Sequence, residues 1–483
     1  MLMKTDQPLR KRSEQALQDA FLRQAVQFTT KRLRDKKQES TKTLGHWETW
    51  REHGRQIRAH TIQYLDYYLE QFATKLEQAG GQVYFAKDGA EAAQLALQIA
   101  KQKQAKLVVK SKSMVTEEVK INAVFAKAGI TCIETDLGEY IVQLAKQTPS
   151  HIIIPAIHQP RQRIAQLFSQ VAGKEVSTDT EALTAVARQK LRQMFAQAEI
   201  GMTGCNFAIA ESGSIVLFSN EGNARMVSTL PKTQIVLMGM ERIIPTWADL
   251  EVMANVLPRS ATGQKLTAYM SVITGPKRPK EQDGPEELHV IVVDNGRSRQ
   301  LGDPKFQSIL HCIRCGACLN VCPVYRQMGG HAYASVYSGP IGAVLTPLLK
   351  PEDEQVQELA NASSLCGACY DACPVKIPLH DMLVFLRERS SSVKKGGIAE
   401  KIAFRGYAAV FRHHAIYRWM MKIFRQLQRW SVKDGSRWSG LLRRLPVIQG
   451  WIRSRRLPFS TQPSFREQWE MLKKELDKGA DPK

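Results

Sequence analysis

Seven of the chain's nine cysteines lie between Cys312 and Cys373. They form two runs, Cys312-Ile-Arg-Cys315-Gly-Ala-Cys318-Leu-Asn-Val-Cys322-Pro323 and Cys366-Gly-Ala-Cys369-Tyr-Asp-Ala-Cys373-Pro374. Thiolates at such short spacing hold soft metal centres. A tight loop aims three sulfurs at one centre, and the helical turn after it points the sulfur before proline away. The pairs Gly316-Ala317 and Gly367-Ala368 let the backbone pass close to that centre, and each proline fixes the exit. Structural zinc takes two separated C-x2-C pairs, often with histidine, and fits these runs poorly. A disulfide framework is not expected of a large chain in a reducing compartment. Cys132 and Cys205, in apolar, strand-like stretches, are expected as buried structural thiols.

The spacing C-x2-C-x2-C-x3-C-P resembles that of bacterial two-cluster ferredoxins, in which the cysteine before proline reaches the other cluster. Applied here, the resemblance implies two [4Fe–4S] clusters. Cys312, Cys315, Cys318 and Cys373 hold the first, and Cys322, Cys366 and Cys369 the second. Three residues before Cys366, where a complete second run has cysteine, stands Ser363. The fourth position of the second cluster is thus open to the Ser363 hydroxyl, to another side chain such as His380, or to solvent. Simple loss of one ligand without new chemistry is the plainer alternative.

These motifs sit in a chain of 483 residues, long enough for two to four domains. Hydrophobic residues make up 43% and charged residues 24%, a globular composition. No stretch approaches the ~18 apolar residues of a membrane span. The first residues carry basic side chains but no apolar core of a secretory signal, so a cytoplasmic location is expected. The formal net charge is +22, and residues 391–460 hold 16 Lys/Arg against 2 acids. Such a segment suits an anionic partner, whether a lipid surface, nucleic acid or an acidic protein, or is merely a solvated basic face.

Residues 1–80 are expected to be helical. Ile62, Leu65, Leu69, Phe72 and Leu76 form one apolar helix stripe, ended by Gly80-Gly81. From 81 to 300 strands and helices alternate. Strands are expected at Val83–Ala86, Lys106–Val109, Cys132–Glu134, His151–Pro155, Phe207–Ala210, Ser214–Phe218, Gln234–Gly239, Leu266–Ile273 and His289–Val293. Helices are expected at Gly89–Gln102, Glu117–Ala128 and Thr180–Ala198. The pattern predicts an α/β domain around a buried, mostly parallel sheet, with a polar loop at 274–287. Residues 301–389 form the cysteine-bearing helical domain. Beyond the linker at 390–397, residues 390–483 are a basic helical region. There Arg418, Lys422, Arg425 and Arg429 share one helix face and Ile416, Met420, Ile423, Phe424 and Leu427 another, with Trp419 and Trp430 nearby.

As a whole the chain resembles the lactate utilization protein B family, the iron–sulfur member of a three-component bacterial L-lactate oxidation system. The resemblance rests on the cysteine pattern together with Ala210-Glu-Ser-Gly-Ser214 and Ser219-Asn-Glu-Gly-Asn-Ala-Arg225, within a stretch running from Thr203. It implies that the α/β part is a LUD domain, related to sugar-phosphate isomerase and CoA-transferase-like folds. It also implies an electron-carrying role in oxidising L-lactate to pyruvate, with other subunits of the system as partners and a membrane or quinone-linked acceptor open. Attachment to the inner face of the membrane is then an alternative to a free cytoplasmic state.

Glu211 stands as a candidate acid, base or CoA-transferase-type nucleophile, with Gly213 allowing close approach of a ligand. Glu221 and Arg225 stand as candidate substrate contacts, Arg225 as a carboxylate clamp. A strand-connecting turn with an internal ion pair is the plainer reading of both segments. No G-x-G-x-x-G suggests a dinucleotide site, and no adjacent cysteine pair is present. A redox enzyme binding an acid or acyl substrate in its LUD-like domain is the competing function. A nucleic-acid-modifying protein is the third, and nucleic acid is not expected because aromatic and basic residues do not interleave on a strand platform.

Overall fold

The strands between residues 81 and 300 assemble into two sheets in the computed structural model, which describes residues 7–393, 398–433, 437–438 and 464–479. The strands are β1 (Gln82–Ala86), β2 (Leu107–Lys110), β3 (Thr131–Glu134), β4 (Ile200–Thr203), β5 (Phe207–Ile209), β6 (Ser214–Ser219), β7 (Thr233–Gly239), β8 (Ile243–Ile244), β9 (Tyr269–Ile273) and β10 (Glu287–Val293). Six form a parallel sheet in the order β1-β10-β7-β4-β2-β3. The other four form a mixed sheet in the order β8-β5-β6-β9.

The central strands of the larger sheet are apolar on both faces, as a covered parallel sheet requires. Ile235, Leu237, Ile291 and Val293 face one core, shared with the helix Gly89–Gln102. Val236, Met238, Val290 and Val292 face the opposite way, into a core shared with the N-terminal helices and the cysteine region. Contacts divide the chain into two units, Met1–Ser390 and Ser391–Lys483. The LUD-like and cysteine-bearing regions therefore share one unit.

Four N-terminal helices, α1 (Leu9–Gln18), α2 (Ala20–Leu44), α3 (Trp47–Gln63) and α4 (Leu65–Gln78), run through the first 80 residues. The expected stripe Ile62–Leu76 is buried at all five positions, but a break at Tyr64 splits it between α3 and α4. Local chemistry changes other expectations. Glu117–Ala128 is two short helices, Met114–Glu118 and Ile121–Lys127, because Lys120 adopts a left-handed φ of 55° between them. His151–Pro155 is a turn, not a strand. The His151 Nδ1 accepts from the backbone N–H groups of Ile153 and Ile154 at 3.0 and 3.2 Å and curls the segment on itself. Cys205 lies in the loop between β4 and β5 and is only half-buried, while Cys132 is buried in β3.

The second unit contains helices Ile398–Arg412, His414–Ser431 and Phe465–Gly479. Arg425 pairs with Glu467 at 3.4 Å. On the helix His414–Ser431, the side chains of Ile416, Trp419, Met420 and Phe424 are exposed. The side chains of Leu427, Arg429 and Trp430 lie outside the described residues, as do residues 1–6, linker residues 394–397 and most of 434–463. No helix among the described residues is long and apolar enough to cross a membrane.

Candidate functional site

Each cysteine run closes on a glycine in the left-handed region, Gly316 at φ 73° and Gly367 at φ 77°. Each glycine caps a one-turn helix, Ala317–Val321 or Ala368–Ala372, so the sulfur before proline is carried past the turn. The result sorts the seven thiols into two cavities. Cys312, Cys315, Cys318 and Cys373 line one, closed by Ile152, Ile341 and Val375 among others. Cys322, Cys366 and Cys369 line the other, together with Ser363 and His380.

Several features of these cavities suit clusters. Backbone N–H groups approach sulfur, Arg314 to Cys312 at 3.4 Å, Tyr325 to Cys322 at 3.5 Å and Ile377 to Cys373 at 3.4 Å. Burial pushes the Cys315 and Cys369 thiols up to about 12, so these sulfurs hold their protons unless a metal displaces them. Around the second cavity, the Ser363 hydroxyl already accepts from the Leu365 N–H at 3.1 Å. The Nδ1 of His380 is buried and has no hydrogen-bond partner.

The N-terminal helices hold the first cavity from outside. Arg51 of α3 donates to the carbonyl oxygens of Cys373 and Tyr370 at 2.9 and 2.7 Å. Lys37 of α2 donates to that of Ala372 at 2.5 Å. From the other side comes a buried charge network. Glu241, after β7, binds Arg297 at 2.7 Å and Arg314 at 3.2 Å. Arg297 reaches Glu118 at 2.9 Å, and Tyr337 donates to Glu118 at 2.6 Å. Burial pushes the Glu241 carboxyl up, but the surrounding arginines outweigh it and hold the group at about 2. This network ties the parallel sheet to the loop between Cys312 and Cys315.

Next to that loop lies a cavity of about 490 Å3. It opens beyond the carboxyl ends of β2, β3 and β4, where ligands bind in open parallel sheets. Ser111, Lys112, Asp136, Glu139, Asn206 and Arg242 supply polar groups. Ile152, Ile313 and Arg314 belong to its wall and also to the wall of the first cysteine cavity. Burial raises the Glu139 carboxyl to about 8, and Lys112 at 3.2 Å offsets only part of this.

The three residues singled out in the LUD-like segments do not form one site. Glu221 lies in the cavity wall and accepts from the Leu137 N–H at 3.0 Å. Glu211 lies at the β5–β6 turn, outside that wall, and accepts from the backbone N–H of Trp247 at 2.6 Å. Gly213 makes a close approach to protein rather than to a ligand, since a Cβ there would meet the Leu76 nitrogen at 2.4 Å. Arg225 is exposed on the helix Asn223–Thr229 and does not line the cavity. Sequence reasoning missed Arg242 and Arg314. A charged residue within a C-x2-C loop and an arginine just past the predicted strand Gln234–Gly239 were the available signals.

Residues 69–293 match the LUD domain family and residues 308–377 the 4Fe-4S dicluster domain family. The second match implies two [4Fe–4S] clusters, in accord with the two thiol-lined cavities. Lactate utilization protein B of Shouchella clausii is 48% identical over 98% of this chain and 98% of its own. Its counterpart in Oceanobacillus iheyensis is 48% identical over 97% and 98%, and that of Bacillus cereus strain B4264 is 49% identical over 96% of both. A solved structure of a DUF162 family protein from Deinococcus radiodurans overlaps 47% of this chain and 98% of its own at 17% identity and a TM-score of 0.28, and no fold assignment rests on it. With near-half identity along almost the whole of both chains, and with the two domains in this order, the chain belongs to the lactate utilization protein B family.

Proposed function

We propose that this chain is the iron–sulfur electron-transfer component of a system that oxidises L-lactate to pyruvate. In this reading Cys312, Cys315, Cys318 and Cys373 hold one cluster, and Cys322, Cys366 and Cys369 the other. The Nδ1 of His380 is the fourth donor of the second cluster. The observation that carries the reading is the sorting of the seven thiols, four into one enclosure and three into another. His380 is preferred to Ser363 because its ring nitrogen lacks a partner while the serine hydroxyl already accepts a hydrogen bond. When bound, the clusters supply one-electron transfer. The protein's own residues keep that site dry and cationic, through Ile152, Ile341 and Val375 on one side and Lys37, Arg51 and Arg314 on the other.

The relatives' printed name supports the lactate assignment. The reading takes other subunits of a lactate-oxidising system as partners and a membrane or quinone-linked acceptor downstream. Anaerobic reconstitution with iron and sulfide, followed by L-lactate with and without the partner proteins, tests it. Reduction of the clusters only when partners are present is the expected result. Reduction by L-lactate of the isolated chain instead favours a redox enzyme in its own right, a reading that the 490 Å3 cavity keeps in view.

A further inference from the structure

Arg242 is 6% exposed and lies in the wall of the large cavity. It makes no hydrogen bond or ion pair among the described residues, and its Nε is buried without a partner. Arg58 nearby shares an unpartnered Nε, but its terminal nitrogens donate to the carbonyl oxygens of Ile243, Glu241 and Leu310. Glu241 makes no hydrogen bond to Arg242: its two oxygens take Arg297 and Arg314, and it acts on Arg242 through its charge alone. Arg314 lines the same cavity, and its second terminal nitrogen also has no partner. Two guanidinium groups with unsatisfied donors thus line one half-open cavity, an arrangement that favours an anion as the missing partner.

The charge of the first cluster accounts for part of this at Arg314, which lines the Cys312–Cys315 cavity too. Cys312 also acts on Arg242 through its charge, but Arg242 lines only the large cavity and makes no hydrogen bond there. A planar guanidinium fork matches carboxylate or phosphate oxygens. Besides the polar groups, Ile152, Ile153, Leu217, Phe218 and Leu257 give the cavity apolar lining. A volume of about 490 Å3 falls in the range of pockets that enclose drug-sized ligands, roughly 300–1,000 Å3, and is more than a three-carbon acid fills.

We propose that this cavity binds an organic anion larger than lactate, its carboxylate or phosphate on Arg242 and its apolar body along the Ile152–Leu217 lining, beside the Ile313–Arg314 segment of the first cysteine loop. The assignment goes beyond the proposed electron-transfer role and does not depend on it.

The test uses the full chain with its clusters, kept anaerobic and without partner proteins. Equilibrium dialysis is run with L-lactate, L-phenyllactate and flavin mononucleotide, and the EPR spectrum of the reduced protein is recorded with and without each. We expect phenyllactate or flavin mononucleotide to bind at least about tenfold more tightly than lactate and to shift the signal of the first cluster. Phenyllactate marks a carboxylate ligand, and flavin mononucleotide a phosphate-bearing one. Arg242→Gln should weaken that binding by about tenfold or more, with Arg242→Lys in between. Should Arg242→Gln lose its iron, Leu257→Trp decides, because it fills the cavity from the helix Trp247–Ala261 and should abolish binding with the clusters intact. Binding of no probe, equal binding by the glutamine variant, or lactate bound as tightly as the larger anions overturns the assignment. Reduction by lactate is not read, so failure of the lactate reading leaves this outcome standing.

Discussion

Arg51 donates from Nε to the carbonyl oxygen of Cys373 at 2.9 Å, joining residues 322 positions apart. The same guanidinium reaches the Tyr370 carbonyl, and its side chain is 7% exposed. An N-terminal helix thus fixes the backbone that carries a cluster cysteine. Arg51→Ala removes a charged donor from two carbonyls, each of which keeps one backbone hydrogen bond, from the N–H of Lys376 to Cys373 and from that of Cys373 to Tyr370. A loss of about 3 kcal/mol in unfolding free energy is expected, with iron content falling below that of wild type under the same reconstitution. Denaturant titration and iron assay check both.

The purified protein should be brown and carry about eight iron and eight acid-labile sulfide per chain, the content of two cubane clusters. One zinc per chain without sulfide contradicts this.

The two clusters should differ in oxygen sensitivity. Cys366 is exposed, whereas Cys315, Cys318 and Cys373 are buried. Air should convert the second cluster first, giving a three-iron EPR signal. His380→Ala should hasten that loss and Ser363→Cys suppress it. Pulsed EPR of the reduced wild type should show nitrogen coupling that His380→Ala removes, and its absence from wild type rejects histidine as the donor.

Glu139 gives the cavity a pH dependence. Its carboxyl, raised by burial to about 8, is neutral below that pH and adds a negative charge above it. Affinity for an anion should therefore fall as pH rises through 8, and Glu139→Gln should flatten the curve. The sign for stability is the same. The folded state retains a proton that the unfolded chain releases above about 4.5, so wild type loses stability between there and 8. The glutamine variant should be the more stable of the two at pH 8 but not at pH 5.

Glu211 should prove structural. Its carboxylate satisfies the first N–H of the helix Trp247–Ala261, so Glu211→Ala should cost about 1 kcal/mol and leave clusters and cavity unaffected. Loss of anion binding in this variant returns Glu211 to the functional site.

Much of this was legible because it depends on local pattern. The cysteine runs, the alternation of strands and helices and the Ile62–Leu76 stripe follow from spacing alone. β4 was missed because Ile-Gly-Met-Thr is short and contains Gly201, where a Cβ would lie 1.9 Å from the Val227 carbonyl oxygen. Tight packing against the following helix, not strand propensity, selects that residue. His151–Pro155 has strand-like composition, yet the His151 ring competes for its backbone donors. Arg242 and Arg314 gain meaning only when the sheet end and the cysteine loop meet, a contact no local pattern encodes. Glu211 and Arg225 drew attention through polar turn chemistry, which serves helix ends and surfaces as readily as ligands.

The bracing of the cysteine loops by the first helices also bears on how the molecule is made. Arg12, Lys37 and Arg51 find their partners at Ala332, Ala372 and Cys373. At a synthesis rate of roughly 5–20 residues per second, the 322 positions separating Arg51 from Cys373 take about 15–65 s to emerge. For that interval Lys37 and Arg51 lack the carbonyls they finally hold, while α3 and α4 meet β1, β8 and the helix Trp247–Ala261 as those emerge earlier. The enclosure for the first cluster closes only when nearly the whole unit has left the ribosome. Delivery of iron and sulfide is thereby scheduled as a late event.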